Sequence, residues 1–269
     1  MLNEKLQVVV IRTPYSKRYL QIDALLGSDS RFELKYIEAS MARTYQDIID
    51  LKIAYSTEIF EFLNGRRFTP AEIGCADSHN RAREIIKQHS LGGIILEDDA
   101  RIVNIDNFYK IVLDFLQSKN DYSILNLTPY SNLSKRYTDK VKILRIYSAP
   151  DLAVSYALTP KAAGLLLDAN QPINTVADWP LTKCNFYIPN LQVVVHGDPD
   201  TNSFIANDQD NFREKYSTIF KIIQFLCIPY FTRKIPIKFK DYINFVYLRR
   251  IVWNSEKIRL KVLGYKKAS

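Results

Sequence analysis

The chain has 269 residues, enough for one large domain or for one domain with an appendage. Its composition, 47% hydrophobic and 25% charged, is globular and excludes a low-complexity chain. The net charge of +8 resides in the tail: from Arg213 onward there are 14 Lys/Arg against 3 acids, so the preceding residues carry −3. No run approaches the ~18 uninterrupted apolar residues expected of a membrane-crossing helix. The opening Met1-Leu2-Asn3-Glu4-Lys5 leads directly into an apolar strand, which argues against a secretory signal. Cys75, Cys184 and Cys227 are odd in number and unpatterned. They read as reduced thiols of a cytosolic protein, not as a disulfide framework or zinc site.

In chain order, residues 7–11 form the first predicted strand, followed by a helix over 16–26 and a second strand over 32–37. Residues 46–63 read as largely helical. Thr69-Pro70-Ala71-Glu72 is a strong helix start, with Thr as N-cap, Pro at the first helical position and Glu three residues after the cap. That helix runs to about His89 and stops before Gly92-Gly93. A buried strand over 94–96, a helix over 107–117 and a strand over 122–127 follow. Residues 131–140 are polar and read as a loop. Segments 141–147 and 152–158 are expected to pair as strands, with a short helix over 160–168. Asp178-Trp179-Pro180 marks a turn, 191–195 a strand, and 196–208 a polar connection. Strands alternating with helices, then shorter mixed strands, predict an α/β sandwich with a partly parallel sheet. No G-x-G-x-x-G, P-loop or G-x-S-x-G pattern occurs, so dinucleotide, ATPase and serine-hydrolase readings lack support.

The most informative junction is Gly93-Ile94-Ile95-Leu96-Glu97-Asp98-Asp99-Ala100, where a buried strand ends in three consecutive carboxylates. Ligands of open α/β sheets bind outside the carboxyl ends of the strands. Side chains alternate along an extended segment, so Glu97 and Asp99 should point one way and Asp98 the other. Three such groups repel one another unless a positive charge lies between them. A hard divalent cation bound to a diphosphate meets that need. The alternatives are that the acids cap a helix beginning near Ile105, or that they sit in a solvated loop.

The segment Ala71-Glu72-Ile73-Gly74-Cys75-Ala76-Asp77-Ser78-His79, followed by Ile94-Ile95-Leu96-Glu97-Asp98-Asp99-Ala100, resembles glycosyltransferase family 25. This is a bacterial lipooligosaccharide and lipopolysaccharide galactosyltransferase family. Ser155-Tyr156-Ala157-Leu158-Thr159-Pro160-Lys161-Ala162-Ala163 and Val176-Ala177-Asp178-Trp179-Pro180 match two further blocks of that family, in its order. The resemblance spans about residues 7 to 205. Ala71 stands where the family commonly has Gly, and Asn80 where it has an apolar residue.

The resemblance implies a GT-A type fold, that is, a Rossmann-like mixed sheet flanked by helices, over residues 1–210. A basic, aromatic helical extension then occupies 211–269. The implied activity is transfer of a hexose, most often galactose from UDP-galactose with inversion, onto a lipid-linked core oligosaccharide. The implied cofactor is Mn²⁺ or Mg²⁺, held at an E-D-D version of the D-x-D motif. A UDP-glucose or other nucleotide-sugar transferase of the same family is the alternative. On this reading Asp99 ligates the metal, while Glu97 contacts metal-bound water or the ribose. Asp98 reaches the sugar hydroxyls or a supporting partner. His196, just after a strand, is a further ligand candidate. Arg12, Thr13 and Pro14 form the edge of the nucleotide pocket, and Arg18 either pairs with phosphate or is a solvated helix residue.

An inverting transfer requires a base for the acceptor hydroxyl, and Asp178 is the candidate, with Trp179 as a platform for a sugar ring. The competing role for Asp178 is a helix N-cap ahead of Pro180. Glu72, Gly74, Ser78 and His79 are assigned structural roles. His79 lies on the stripe Cys75–His79–Ala82–Ile86 and reads as a core histidine bonded to a backbone carbonyl.

The tail from 213 interleaves its cations with aromatics, including Tyr216, Phe225, Tyr230, Phe239, Tyr247 and Trp253. That pattern suits an anionic surface, with membrane headgroups favoured over nucleic acid. The alternative is a helical extension whose aromatics pack on the body while its lysines are solvated. The resulting expectation is a cytoplasmic enzyme, peripheral at the inner face of the cell membrane. A nucleic-acid-associated protein using the basic tail is the reading from a different class. A metal-dependent phosphohydrolase would require more His and Asp ligands than this chain, with 3 His, provides.

Overall fold

A computed structural model describes residues 5–58, 60–61, 66–119, 121–128, 143–146, 153–178 and 184–197. The strands in chain order are β1 (Leu6–Arg12), β2 (Phe32–Glu38), β3 (Gly93–Glu97), β4 (Ala100–Ile102), β5 (Ser123–Asn126), β6 (Ile143–Ile146), β7 (Ser155–Leu158), β8 (Asn185–Pro189) and β9 (Val194–His196). The helices are α1 (Leu20–Leu26), α2 (Tyr45–Asp50), α3 (Pro70–Lys87), α4 (Ile105–Ser118) and α5 (Pro160–Ala169).

Among the described residues, seven strands form one mixed sheet in the order β2-β1-β3-β7-β5-β8-β6. β1 pairs in parallel with β2 and β3, and β5 with β8, while β7 runs antiparallel to both β3 and β5. The apolar run of β1 is buried on both faces, as a strand covered by helices on two sides must be. One face carries Val8, Val10, Ile94 and Leu96 against Ile22 and Leu26 of α1 and Phe108, Ile111 and Phe115 of α4. The other face receives α3, whose Ile86 abuts Gly93. Each such fully buried aliphatic side chain contributes about 1.5–3 kcal/mol. β4 and β9 form a separate two-stranded antiparallel ribbon, with Ala100 opposite His196.

The predicted start of α3 is realised in full. The Thr69 hydroxyl accepts from the Glu72 N–H, and the Glu72 carboxylate accepts from the Thr69 N–H. A cap of this kind is worth about 1 kcal/mol. The acids after β3 do not cap α4. Asn104 does, accepting from the Asn107 N–H.

Several expectations change. The first helix begins at Leu20 instead of residue 16, because residues 13–19 form turns. The predicted helix over 46–63 is interrupted after Asp50, with helical backbone again at residues 58, 60 and 61. Lys52 adopts a left-handed φ of 55°, and Tyr55 then bridges to Ile173. Segments 141–147 and 152–158 do not pair with each other: β6 pairs with β8, while β7 lies between β3 and β5. β4 and β8 were not anticipated, and the strand predicted over 191–195 is Val194–His196. The loop over 131–140, Trp179 and the whole extension from 211 lie outside the described residues.

Candidate active site

β3 delivers the three carboxylates at its C-terminal end. Gly93 and Ile95 lie on the α3 face, and Glu97, two residues further, continues that alternation. Its Oε1 is 3.1 Å from Nε2 of His79, which α3 presents from the stripe it shares with Ala82 and Ile86. Asp98 points to the opposite face and is 3% exposed. It accepts from the Thr13 N–H at 2.9 Å and pairs with Arg18 at 2.6 Å. The chain turns there, so Asp99 does not simply return to the side of Glu97. Its Oδ2 lies 3.8 Å from the same Arg18 guanidinium and 3.4 Å from Nε2 of His196. Close approach of Gly197 to the Asp99 backbone, where a Cβ would lie 2.8 Å from the carbonyl oxygen, holds β9 beside the triplet.

The electrostatics are those of crowded, desolvated acids. Burial pushes the Glu97 carboxyl up to about 7, helped by Asp98 and opposed by His196 and Arg18. Burial also raises Asp99, with Glu97 as the next cause and His196 and Arg18 opposing. Asp99 Oδ1 is buried with no hydrogen-bond partner. A carboxylate oxygen in that state is suited to a cation, since buried polar atoms are otherwise satisfied.

α3 is seated by its own motif residues. At Gly74 a Cβ would overlap the Ser40 carbonyl oxygen, so only glycine allows that approach. The Ser78 hydroxyl donates to the Gly74 carbonyl and accepts from the Ser40 N–H, both at 2.8 Å. Glu72 is held by Arg66 at 2.5 Å. Glu72, Gly74 and Ser78 thus fix the helix that carries His79.

His79 itself does not bond to a backbone carbonyl. Besides Glu97, its ring meets the Tyr156 hydroxyl, with Nδ1 at 3.0 Å. The side chain is 1% exposed, and burial together with the nearby Arg83 charge holds its pKa down to about 3. It is therefore neutral at physiological pH. Cys75 lies one turn earlier, and burial pushes its thiol up. Ligand atoms of Cys75, His79 and Glu97 all lie within 4.8 Å of one another. Two residues the sequence reading did not single out complete this region. Tyr156, in the middle of β7, and Arg83, one turn after His79, are both wholly buried. The signal for Arg83 was present: a cation at i+4 from His79 lies on the face that points into the protein.

The remaining predicted residues are distributed as follows. Thr13 and Arg18 reach the triplet. Arg12 pairs instead with Glu38 at 3.0 Å, its register partner on β2. Pro14 belongs to the turn between β1 and α1. The Asp178 charge favours a higher pKa at both His79 and Cys75.

The family model for glycosyltransferase family 25, described as an LPS biosynthesis protein, matches residues 16–181. The chain belongs to glycosyltransferase family 25. The matched span takes in Arg18, the Glu72–His79 segment, Glu97–Asp99 and Asp178-Trp179. It leaves out Arg12, Thr13, Pro14 and His196, and is narrower at both ends than the sequence resemblance. A search of the curated proteins found no match. Membership makes the protein an enzyme of LPS biosynthesis that moves a sugar from an activated donor to an acceptor. Its mixed sheet flanked by helices is consistent with a glycosyltransferase fold. Among the described residues, no helix is long and apolar enough to cross a membrane.

Proposed function

We propose that this family 25 enzyme is a GT-A type, metal-dependent hexosyltransferase. It takes galactose from UDP-galactose and transfers it with inversion to a lipid-linked lipooligosaccharide or lipopolysaccharide core. The single observation that carries the metal reading is Asp99, whose buried Oδ1 lacks a partner while Oδ2 faces His196. Asp99 and His196 would hold Mn²⁺ or Mg²⁺, with Glu97 on the adjoining side. A divalent cation there supplies positive charge against the diphosphate of the departing UDP.

The other steps belong to the protein's own groups. Thr13 and Asp98 hold the β1–α1 turn, and with it Arg18, beside the donor's phosphates. Arg12 and Pro14 border the nucleotide on the β2 side. The acceptor hydroxyl attacks the anomeric carbon opposite UDP; the new C–O bond forms as the bond to the phosphate oxygen breaks. Asp178 accepts the hydroxyl proton, and Trp179 supports the acceptor ring. Residues 213–269 bring the enzyme to an anionic membrane surface at the cytoplasmic face, where such acceptors are built.

The test of the metal reading is Asp99→Ala. Isothermal titration calorimetry of UDP with and without Mn²⁺ should show loss of the metal-dependent part of binding in the variant. An unchanged Mn²⁺-dependent affinity would reject the assignment.

A further inference from the structure

Arg83 is a guanidinium with none of its surface exposed, and the partners it meets are neutral. Its Nη1 donates to Asn80 Oδ1 at 3.0 Å, its Nη2 to the Ala177 carbonyl at 2.7 Å, and its Nε to the Tyr156 hydroxyl at 3.2 Å. Asn80 is in turn anchored, its amide donating to the Asn170 carbonyl. The fork therefore spans three elements: α3, the centre of β7, and the turn immediately before Asp178.

The donor chemistry gives this network a direction. Arginine can only donate, so the Tyr156 oxygen must accept from Nε. The hydroxyl proton is then available for Nδ1 of His79, 3.0 Å away. Its ring stacks against that of Tyr156, with planes 16° apart and centroids 5.8 Å apart. With Nδ1 accepting, the single ring proton of a neutral histidine lies on Nε2, facing Glu97 Oε1 at 3.1 Å. Each contact along the line from Arg83 through Tyr156 and His79 to Glu97 then has one donor and one acceptor. In the opposite tautomer Nδ1 would donate to Tyr156, and Nε2 would present a lone pair to the Glu97 oxygen, a repulsive contact when that carboxyl is ionised.

We propose that Arg83 and Tyr156 are positioning residues that act through His79. They fix it as the Nε2–H tautomer that donates to Glu97. Through the Ala177 carbonyl, the same guanidinium also sets the position of the Asp178 turn. One buried side chain thus places groups on the donor side and on the acceptor side of the site. The catalytic consequence rests on the transferase reading above, whereas the tautomer does not.

The test uses the full-length chain labelled with ¹⁵N-histidine. It contains only 3 histidines, and the signal lost in His79→Gln identifies the one of interest. At pH 8.5, with the Glu97 carboxyl ionised, the wild type should show His79 with a protonated Nε2 and an unprotonated, hydrogen-bonded Nδ1. Tyr156→Phe keeps the ring and removes the hydroxyl, and should convert this to a mixture of tautomers. It should also lower kcat about 10-fold, the lower end of what losing an outer-shell partner of a site costs. Donor KM should stay within about 2-fold.

Arg83→Lys keeps the charge but cannot span the three partners, and should lower kcat at least as far. If that variant fails to fold, Tyr156→Phe decides alone. A His79 carrying its proton on Nδ1, or a tautomer unmoved by Tyr156→Phe, overturns the proposal. A shifted tautomer with unchanged turnover overturns its catalytic half. Absence of any sugar transfer by the wild type, with the tautomer as expected, would count against the transferase reading and leave the network standing.

Discussion

Glu97 gives the sharpest quantitative expectation. Its carboxyl is raised from 4.5 to about 7, chiefly by burial. The folded protein therefore binds this proton more tightly than the unfolded chain does. As pH rises from 4.5 to about 7 the unfolded state loses the proton first, so stability falls across that window. At ~1.4 kcal/mol per pKa unit the loss is ~3 kcal/mol. The side chain is 30% exposed, and solvent screening brings this nearer ~2 kcal/mol. Glu97→Gln removes the titration while leaving an amide oxygen to accept from His79, and it lifts one cause of the raised Asp99 pKa. Urea unfolding of wild type and variant at pH 5 and pH 8, without divalent metal, measures the difference directly. The variant should lose about 2 kcal/mol less than the wild type between the two pH values. Parallel losses would refute the argument that burial of this carboxylate costs stability when it ionises.

Gly74→Ala forces a methyl group into the Ser40 carbonyl and should destabilise by about 1–3 kcal/mol in the same denaturation assay. A neutral result would mean that the turn after β2 yields more easily than its bonds to Ser78 and Asp77 suggest. Asp178→Asn should keep UDP binding but lower turnover by about 10²-fold or more in a sugar-transfer assay. Near-normal turnover would return Asp178 to a capping role. Removing residues 213–269 should abolish salt-sensitive co-sedimentation with anionic vesicles; unchanged sedimentation would exclude the tail as the membrane contact.

The elements nearest the site were legible where the signal is local. Thr69, Pro70 and Glu72 specify a helix start by themselves, and the apolar run ending at Glu97 specifies a buried strand. The alternation that separates Glu97 from Asp98 also follows from the strand period. Asp99 escaped it, because the chain turns once β3 has ended and Arg18 draws both aspartates. The partners of strands were less accessible. Periodicity identifies the face a segment buries but not the segment that covers it, so β7 was matched with 141–147 instead of β3 and β5. The break after Asp50 depends on Lys52 entering the left-handed region, which its side chain does not announce. His79 was read as a core residue, and it is buried. Its partners, Tyr156 and Glu97, come from two neighbouring strands of the sheet and could not be inferred from its own helix.

The central place of β7 has a consequence for biosynthesis. β3 is flanked by β1 on one edge and by β7 on the other, and β7 is translated roughly 60 residues later. At ~5–20 residues per second, the nascent chain carries Gly93–Glu97 with an unpaired edge for about 3 to 12 s. An unpaired apolar edge is a template for association with other chains. During that interval the strand that bears the carboxylates is also a segment that needs shielding at the ribosome.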